Sequence, residues 1–159
     1  MPTGVVVILD QLTKFWVTQN FSIWESRDIL GSVLRFSFVK NLGLAFGIRV
    51  GDFVYLVTLL SFAATCFIAI FLWKERNNHY FVTTSLALIL GGAIGNLIDR
   101  SMIFFTNDYA GVVDFIDVGL GSFRWYTFNI ADAAVTIGII LYLLHSLIIV
   151  KLKPVEQID

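Results

Sequence analysis

Two carboxylates stand beside strongly apolar sequence in the stretch Val112–Asp132: Asp114, at the end of a Gly-Val-Val approach, and Asp132, a few residues into the run Phe128–Val150. That run holds no other formally charged residue and, at about 1.5 Å per helical residue, is long enough to cross a bilayer. Ionising a carboxylate in such a run costs roughly 2.5–3.5 kcal/mol at mid-helix and less near an end, which makes Asp132 a functional candidate. The residues between the two aspartates can fold back and bring them together. Two carboxylates a few ångströms apart cannot both ionise, so they share a proton. The acid of such a pair polarises a carbonyl while the base activates a water, and the titration belongs to the pair. Peptide hydrolysis by this scheme requires no metal and no nucleophilic side chain. Aspartates buried between helices also serve proton or ion relays. The residues alone leave hydrolase and relay open.

Composition supplies the setting. Of 159 residues, 57% are hydrophobic and 14% charged, with a mean hydropathy of +0.81. Soluble domains average about 45–50% apolar and about 25% charged, so the chain reads as a membrane protein. A net charge of −1 without a basic stripe excludes a nucleic-acid partner. The single cysteine, Cys66, cannot form an internal disulfide, and its neighbours Phe62, Ala63 and Ile68 assign it to helix packing. With only His79 and His145 and no HExxH motif, no metal or other cofactor is expected. His145 lies on an apolar stretch and reads as packed or interfacial.

The chain is read as one integral-membrane domain spanning residues 1–159. Its class is an all-α membrane protein of four transmembrane helices, near residues 4–20, 53–73, 81–100 and 128–150. The connections 21–52 and 101–127 lie outside the membrane. The first segment is short, with Asp10 and Lys14 at i and i+4 and the acid on the N-terminal side, the favourable order for a helical pair. It lacks the basic region and cleavage site of a signal peptide. In the first connection, alternation at Leu34, Phe36 and Phe38 marks a half-buried strand and hence a small β-rich platform on one face of the bilayer. Phe53–Trp73 is an uninterrupted uncharged run ending in an interfacial Trp. In the third helix, Gly91, Gly92 and Gly95 allow close helix approach. Asn96, Asp99 and Arg100 share a face beside them. In the last, Asn129, Asp132 and Thr136 share a face. Four helices put both termini on one side. Lys74 and Arg76 in a short loop, with Lys151 and Lys153, assign that side to the cytoplasm. Arg27, Arg35, Lys40 and Arg49 in the first connection oppose that count. Gly119 and Gly121, between the two aspartates, are candidate hinges.

Five motifs occur in order: Asp10-Gln-Leu-Thr-Lys14, Asn41-Leu-Gly-Leu-Ala-Phe-Gly47, Gly91-Gly-Ala-Ile-Gly-Asn-Leu-Ile-Asp-Arg100, Val112-Val-Asp-Phe115 and Phe128-Asn-Ile-Ala-Asp132. Together they closely resemble the bacterial signal peptidase II family over about Asp10 to Gly138. The resemblance implies a membrane aspartyl endopeptidase with an extracytoplasmic β-cradle. It would cut signal peptides from prolipoproteins just before a diacylglyceryl-modified cysteine, in the bacterial cytoplasmic membrane. It further implies that Asp114 and Asp132 are the catalytic pair. Asp10, Lys14, Asn41, Asn96, Arg100 and Asn129 would shape the site or bind substrate, with Arg100 holding substrate carbonyls. Asp99 and Asp117 would support the structure. Implied partners are membrane lipids and globomycin-like cyclic peptide inhibitors in the same groove. Two departures from the family pattern are Leu44, where a small residue is usual, and a short N-terminal helix before Asp10.

Overall fold

A computed structural model describes residues 2–42, 54–106 and 111–152. Residues 43–47 of the second motif, including Leu44, lie outside the described residues, as do Arg49, Phe53 and Lys153. Four long helices are present: α1 (Pro2–Asn20), α2 (Val54–Glu75), α3 (Tyr80–Ser101) and α4 (Ile130–Leu152). Among the described residues, α2, α4 and α3 with the 3-10 turn Met102–Phe104 that extends it are long and apolar enough to cross a membrane.

The shorter α1 is built inside out. It buries Asp10 and Lys14 with Val6 and Val17 and exposes Leu9, Leu12, Phe15 and Trp16. Such a pattern suits lipid outside and a polar site inside. Its 19 residues extend about 28 Å, close to the hydrocarbon thickness.

Helix α3 is the hub, packing against α1, α2 and α4. The glycines expected to permit close approach do so. A Cβ on Gly91 would meet Val6 Cβ at 2.8 Å, and one on Gly92 would run into the Ala131 carbonyl. On the opposing helix, a Cβ on Gly138 would meet the Ser85 carbonyl at 2.7 Å. Dispersion contacts between close backbones replace the hydrophobic drive that lipid does not supply.

Both connections contribute to one antiparallel sheet of order β1-β2-β3-β4. Strands β1 (Ser26–Leu30) and β2 (Leu34–Asn41) come from the first, β3 (Val112–Leu120) and β4 (Phe123–Arg124) from the second. The alternation at Leu34–Phe38 announced β2; β3, rich in β-branched and aromatic residues, was read only as a connection. Val17 of α1 and Phe21, just past its end, form a core with Phe38 and Phe115, which seats the sheet on the end of α1.

Helix α4 starts at Ile130, not at residue 128, because Phe128 is already engaged. Its N–H donates to the Ile116 carbonyl (3.0 Å) and its carbonyl accepts from Phe115 and Ile116 (3.0 and 2.7 Å). The other helix bounds differ from the expected ones by a residue or two. Gly119 and Gly121 belong to a hairpin: Gly119 pairs with Arg124, donates to the Val33 carbonyl at 2.9 Å, and Gly121 takes the turn with φ +59°. Gly119 lies where a Cβ would collide with the Phe123 carbonyl, so close strand packing accounts for it. Cys66 is on an exposed face of α2. His145 packs beside His79, ring centroids 4.8 Å apart.

Candidate active site

Asp132 is placed by a helix start. Asn129 precedes the first turn of α4, and its Oδ1 accepts from the Asp132 amide (2.9 Å) while Asp132 Oδ2 accepts from the Asn129 amide (3.2 Å). This reciprocal capping box satisfies amides that a helix end leaves unpaired, and it keeps a carboxylate where the helix dipole favours negative charge. The other oxygen, Oδ1, accepts from Asn96 Nδ2 of α3 at 2.8 Å.

Asp114 is placed by a strand. It is buried on β3 opposite Val39 of β2. Its Oδ1 accepts from Asn129 Nδ2 (2.7 Å) and its Oδ2 from Asn41 Nδ2 (3.1 Å). Asn129, fully buried, therefore touches both carboxylates. Burial pushes the Asp114 carboxyl up to about 7, and the Asp132 charge adds to the rise. The Asn41 and Asn129 donors and the Lys14 cation offset it in part. A carboxyl so placed holds a proton well above the ordinary range, the behaviour of one member of a shared-proton pair.

A polar layer stands behind the pair. Lys14 Nζ lies 2.7 Å from Asp10 Oδ2, 2.8 Å from Asp99 Oδ2 and 3.0 Å from Asn96 Oδ1. Its three donors are thus all used. Asp10 accepts from the Ala131 amide at 2.9 Å, tying α1 to the start of α4. Asp99 accepts from the Val113 amide at 3.3 Å, tying α3 to the residue before Asp114. Gln11, unremarked in the sequence except as part of its motif, bridges Asp10 and Asp99 with bonds of 3.1 Å each. Nothing in the spacing announced it, because its partner Asp99 comes from another helix. The short N-terminal helix nonetheless buries Asp10 and Lys14.

Both aspartates line a cavity of about 750 Å³ bounded by α2, α3, α4 and the segment Trp125–Phe128. Asn41, Asn96 and Arg100 also line it, making one end polar. Ser61, Ala64 and Thr65 of α2 face Ala133, Thr136 and Ile137 of α4 along the rest. The structure thus gathers Asp114, Asp132, Asn41, Asn96 and Asn129 in direct contact. Arg100 lies in the wall, its Nη1 3.5 Å from the Asn96 carbonyl, and Asp10 and Lys14 lie behind. Asp117 stands apart, paired with Arg124 at 2.8 Å. The α2 residues of the cavity wall had no distinguishing sequence feature, whereas Trp125 and Tyr126, which fit an interfacial aromatic belt by sequence, also line the cavity.

The chain is similar to known proteins over nearly its whole length. Residues 3–148 match the family model for signal peptidase (SPase) II. The lipoprotein signal peptidase of Psychromonas ingrahamii is 34% identical over 157 residues, covering 97% of this chain and 87% of that protein. The lipoprotein signal peptidase of Janthinobacterium sp. strain Marseille is 40% identical over 147 residues, covering 91% and 84%. A bacterial membrane enzyme solved by the in meso method superposes with a TM-score of 0.79 at 30% identity, covering 99% of this chain and 92% of that one. Matched over nearly the whole chain and folded as a multi-pass bacterial membrane enzyme, this protein belongs to the signal peptidase II family, the aspartic peptidases that remove signal peptides from prolipoproteins.

Proposed function

We propose that Asp114 and Asp132 are the catalytic pair, and that the chain acts as a single membrane domain cutting prolipoproteins just before a diacylglyceryl-modified cysteine. The observation that carries this reading is Asn129, which bonds one carboxylate through its side chain and the other through its backbone. Asp114, raised to about 7, supplies the proton that polarises the scissile carbonyl. Asp132, at the cavity wall, takes a proton from the attacking water. The water oxygen adds to the carbonyl carbon, the C–N bond breaks, and the departing amine receives a proton from the pair. Arg100 holds substrate carbonyls through its guanidinium. Asn41, Asn96 and Asn129 hold the carboxylates in the orientation this requires, and the buried Asp10–Lys14 pair keeps α1 against α4.

The start of α4 is a suitable depth for this bond. A diacylglyceryl group keeps its acyl chains in lipid and its cysteine near the headgroups, where water also reaches. The Lys74–Arg76 loop and the Lys151–Lys153 tail are cytoplasmic, as are both termini, and the sheet and the dyad are at the extracytoplasmic face. Globomycin-like cyclic peptides occupy the same cavity.

The test is cleavage of a diacylglyceryl-modified prolipoprotein by the purified protein, beside Asp114→Asn and Asp132→Asn. Loss of cleavage in both folded variants is expected. Turnover retained by either would remove that residue from the chemistry.

A further inference from the structure

The sheet has two chemically different faces. Residues paired in register share a face, and successive residues alternate. On one face Asp28 lies opposite Arg35, Arg35 opposite Asp117 and Gly119 opposite Arg124. Ion pairs follow at 2.6 Å for Asp28–Arg35 and 2.8 Å for Asp117–Arg124. On the other face the same registers place Leu34 opposite both Leu30 and Val118, Phe36 opposite Ile116, and Leu120 opposite Phe123. That apolar face runs out to two hairpin tips, where Leu30, Leu120 and Phe123 are 66%, 75% and 72% exposed. Hairpin tips in water favour Gly, Asn, Asp and Ser, and a contiguous exposed apolar surface marks an interaction site.

Contacts with α1 locate this face. The Phe36 ring meets that of Trp16, centroids 6.1 Å apart. Trp16 lies four residues before the end of α1 at Asn20, about 6 Å inside the helix end at 1.5 Å per residue. Leu12, Phe15 and Trp16 form the exposed apolar surface of α1, and the apolar sheet face continues from it. Arg27, opposite Phe36, marks the polar boundary. Its guanidinium lies 4.3 Å from the Phe21 ring centroid and donates to the Asn20 carbonyl at 2.9 Å. This puts a cation with an apolar stem where the helix leaves the hydrocarbon.

We propose that the sheet is an amphipathic interfacial paddle whose apolar face (Leu30, Leu34, Phe36, Val118, Leu120 and Phe123) is seated among the acyl chains of the leaflet at the C-terminal end of α1. The Asp28–Arg35 and Asp117–Arg124 pairs then face water. Because Asp114 is on the same strand as Val118 and Leu120, seating the sheet sets the height of Asp114 against the bilayer. This inference rests on the membrane placement of the chain and not on the catalytic assignment.

The test reads depth rather than activity. Full-length protein with Cys66→Ser carries a nitroxide at Leu120→Cys, Phe123→Cys or Leu30→Cys, with Asp28→Cys as the opposite-face control, in phosphatidylglycerol–phosphatidylcholine vesicles. Collision with oxygen relative to a water-soluble nickel chelate should be several-fold greater at the three tip positions than at Asp28. Equal ratios would overturn the proposal. Spin–spin broadening at the tips that vanishes on dilution with unlabelled protein would also overturn it, by showing a second copy on this face. Three independent tip positions keep the outcome decisive if one label disturbs folding.

Discussion

The helix end that carries Asp132 and the strand that carries Asp114 hold their carboxylates by different means. Asp132 depends on a neighbour three residues away: Asn129 exchanges two hydrogen bonds with it across the first turn of α4. Asp114 depends on partners distant in sequence, Asn41 of β2 and Asn129 before α4. One half of the site therefore forms with its helix. The other half forms only when β2, β3 and α4 have assembled. Asn129 is where the two meet.

The largest effect that could break this contrast is on the chemistry itself. If the aspartates act as a unit, each Asn substitution should cost about three orders of magnitude in kcat, and the double variant little more than either single one. Additive losses would show that they act separately. A smaller effect separates the supports. Asn129→Ala should lower kcat roughly 10–100-fold, the equivalent of about 1–3 kcal/mol for buried donors to charged groups. Asn41→Ala, which bonds one oxygen of one aspartate, should cost less. An Asn41 loss equal to that of Asn129 would deny the shared role.

The last effect is on stability, not turnover, and concerns Asp114 alone. Its folded-state pKa rises from 3.8 to about 7, so between those values the folded chain binds more protons than the unfolded one. Stability from this group is therefore present at low pH and is lost as pH rises through the window. Asp114→Asn should gain on the wild type as pH rises, by about 1–4 kcal/mol at pH 8 and by little near pH 4, as read by thermal unfolding in detergent. A gap that is constant with pH would contradict the burial argument.

Asp132 stood out because a lone charge in an apolar run violates composition, and the capping pair at i and i+3 is a local pattern. The residues alone could not choose between hydrolysis and ion relay, since both bury aspartates; the family match over residues 3–148 makes the chain a peptidase. Helices, glycine contacts and the Asp10–Lys14 pair were legible because each follows from period, size or charge within one segment. Strand β3 was not, since its pairing partner β2 lies on the far side of two helices in the chain. The start of α4 was misread for the same reason: only the Phe128–Ile116 pairing ends the extended segment there. Sequence by itself determined the membrane setting, the helices and the chemical identity of the groups, which depend on near neighbours and on burial cost. Tertiary structure alone decided that Asn129 also reaches Asp114, that Gln11 reaches Asp99, and that both connections form one sheet. Those contacts join residues that no local periodicity relates.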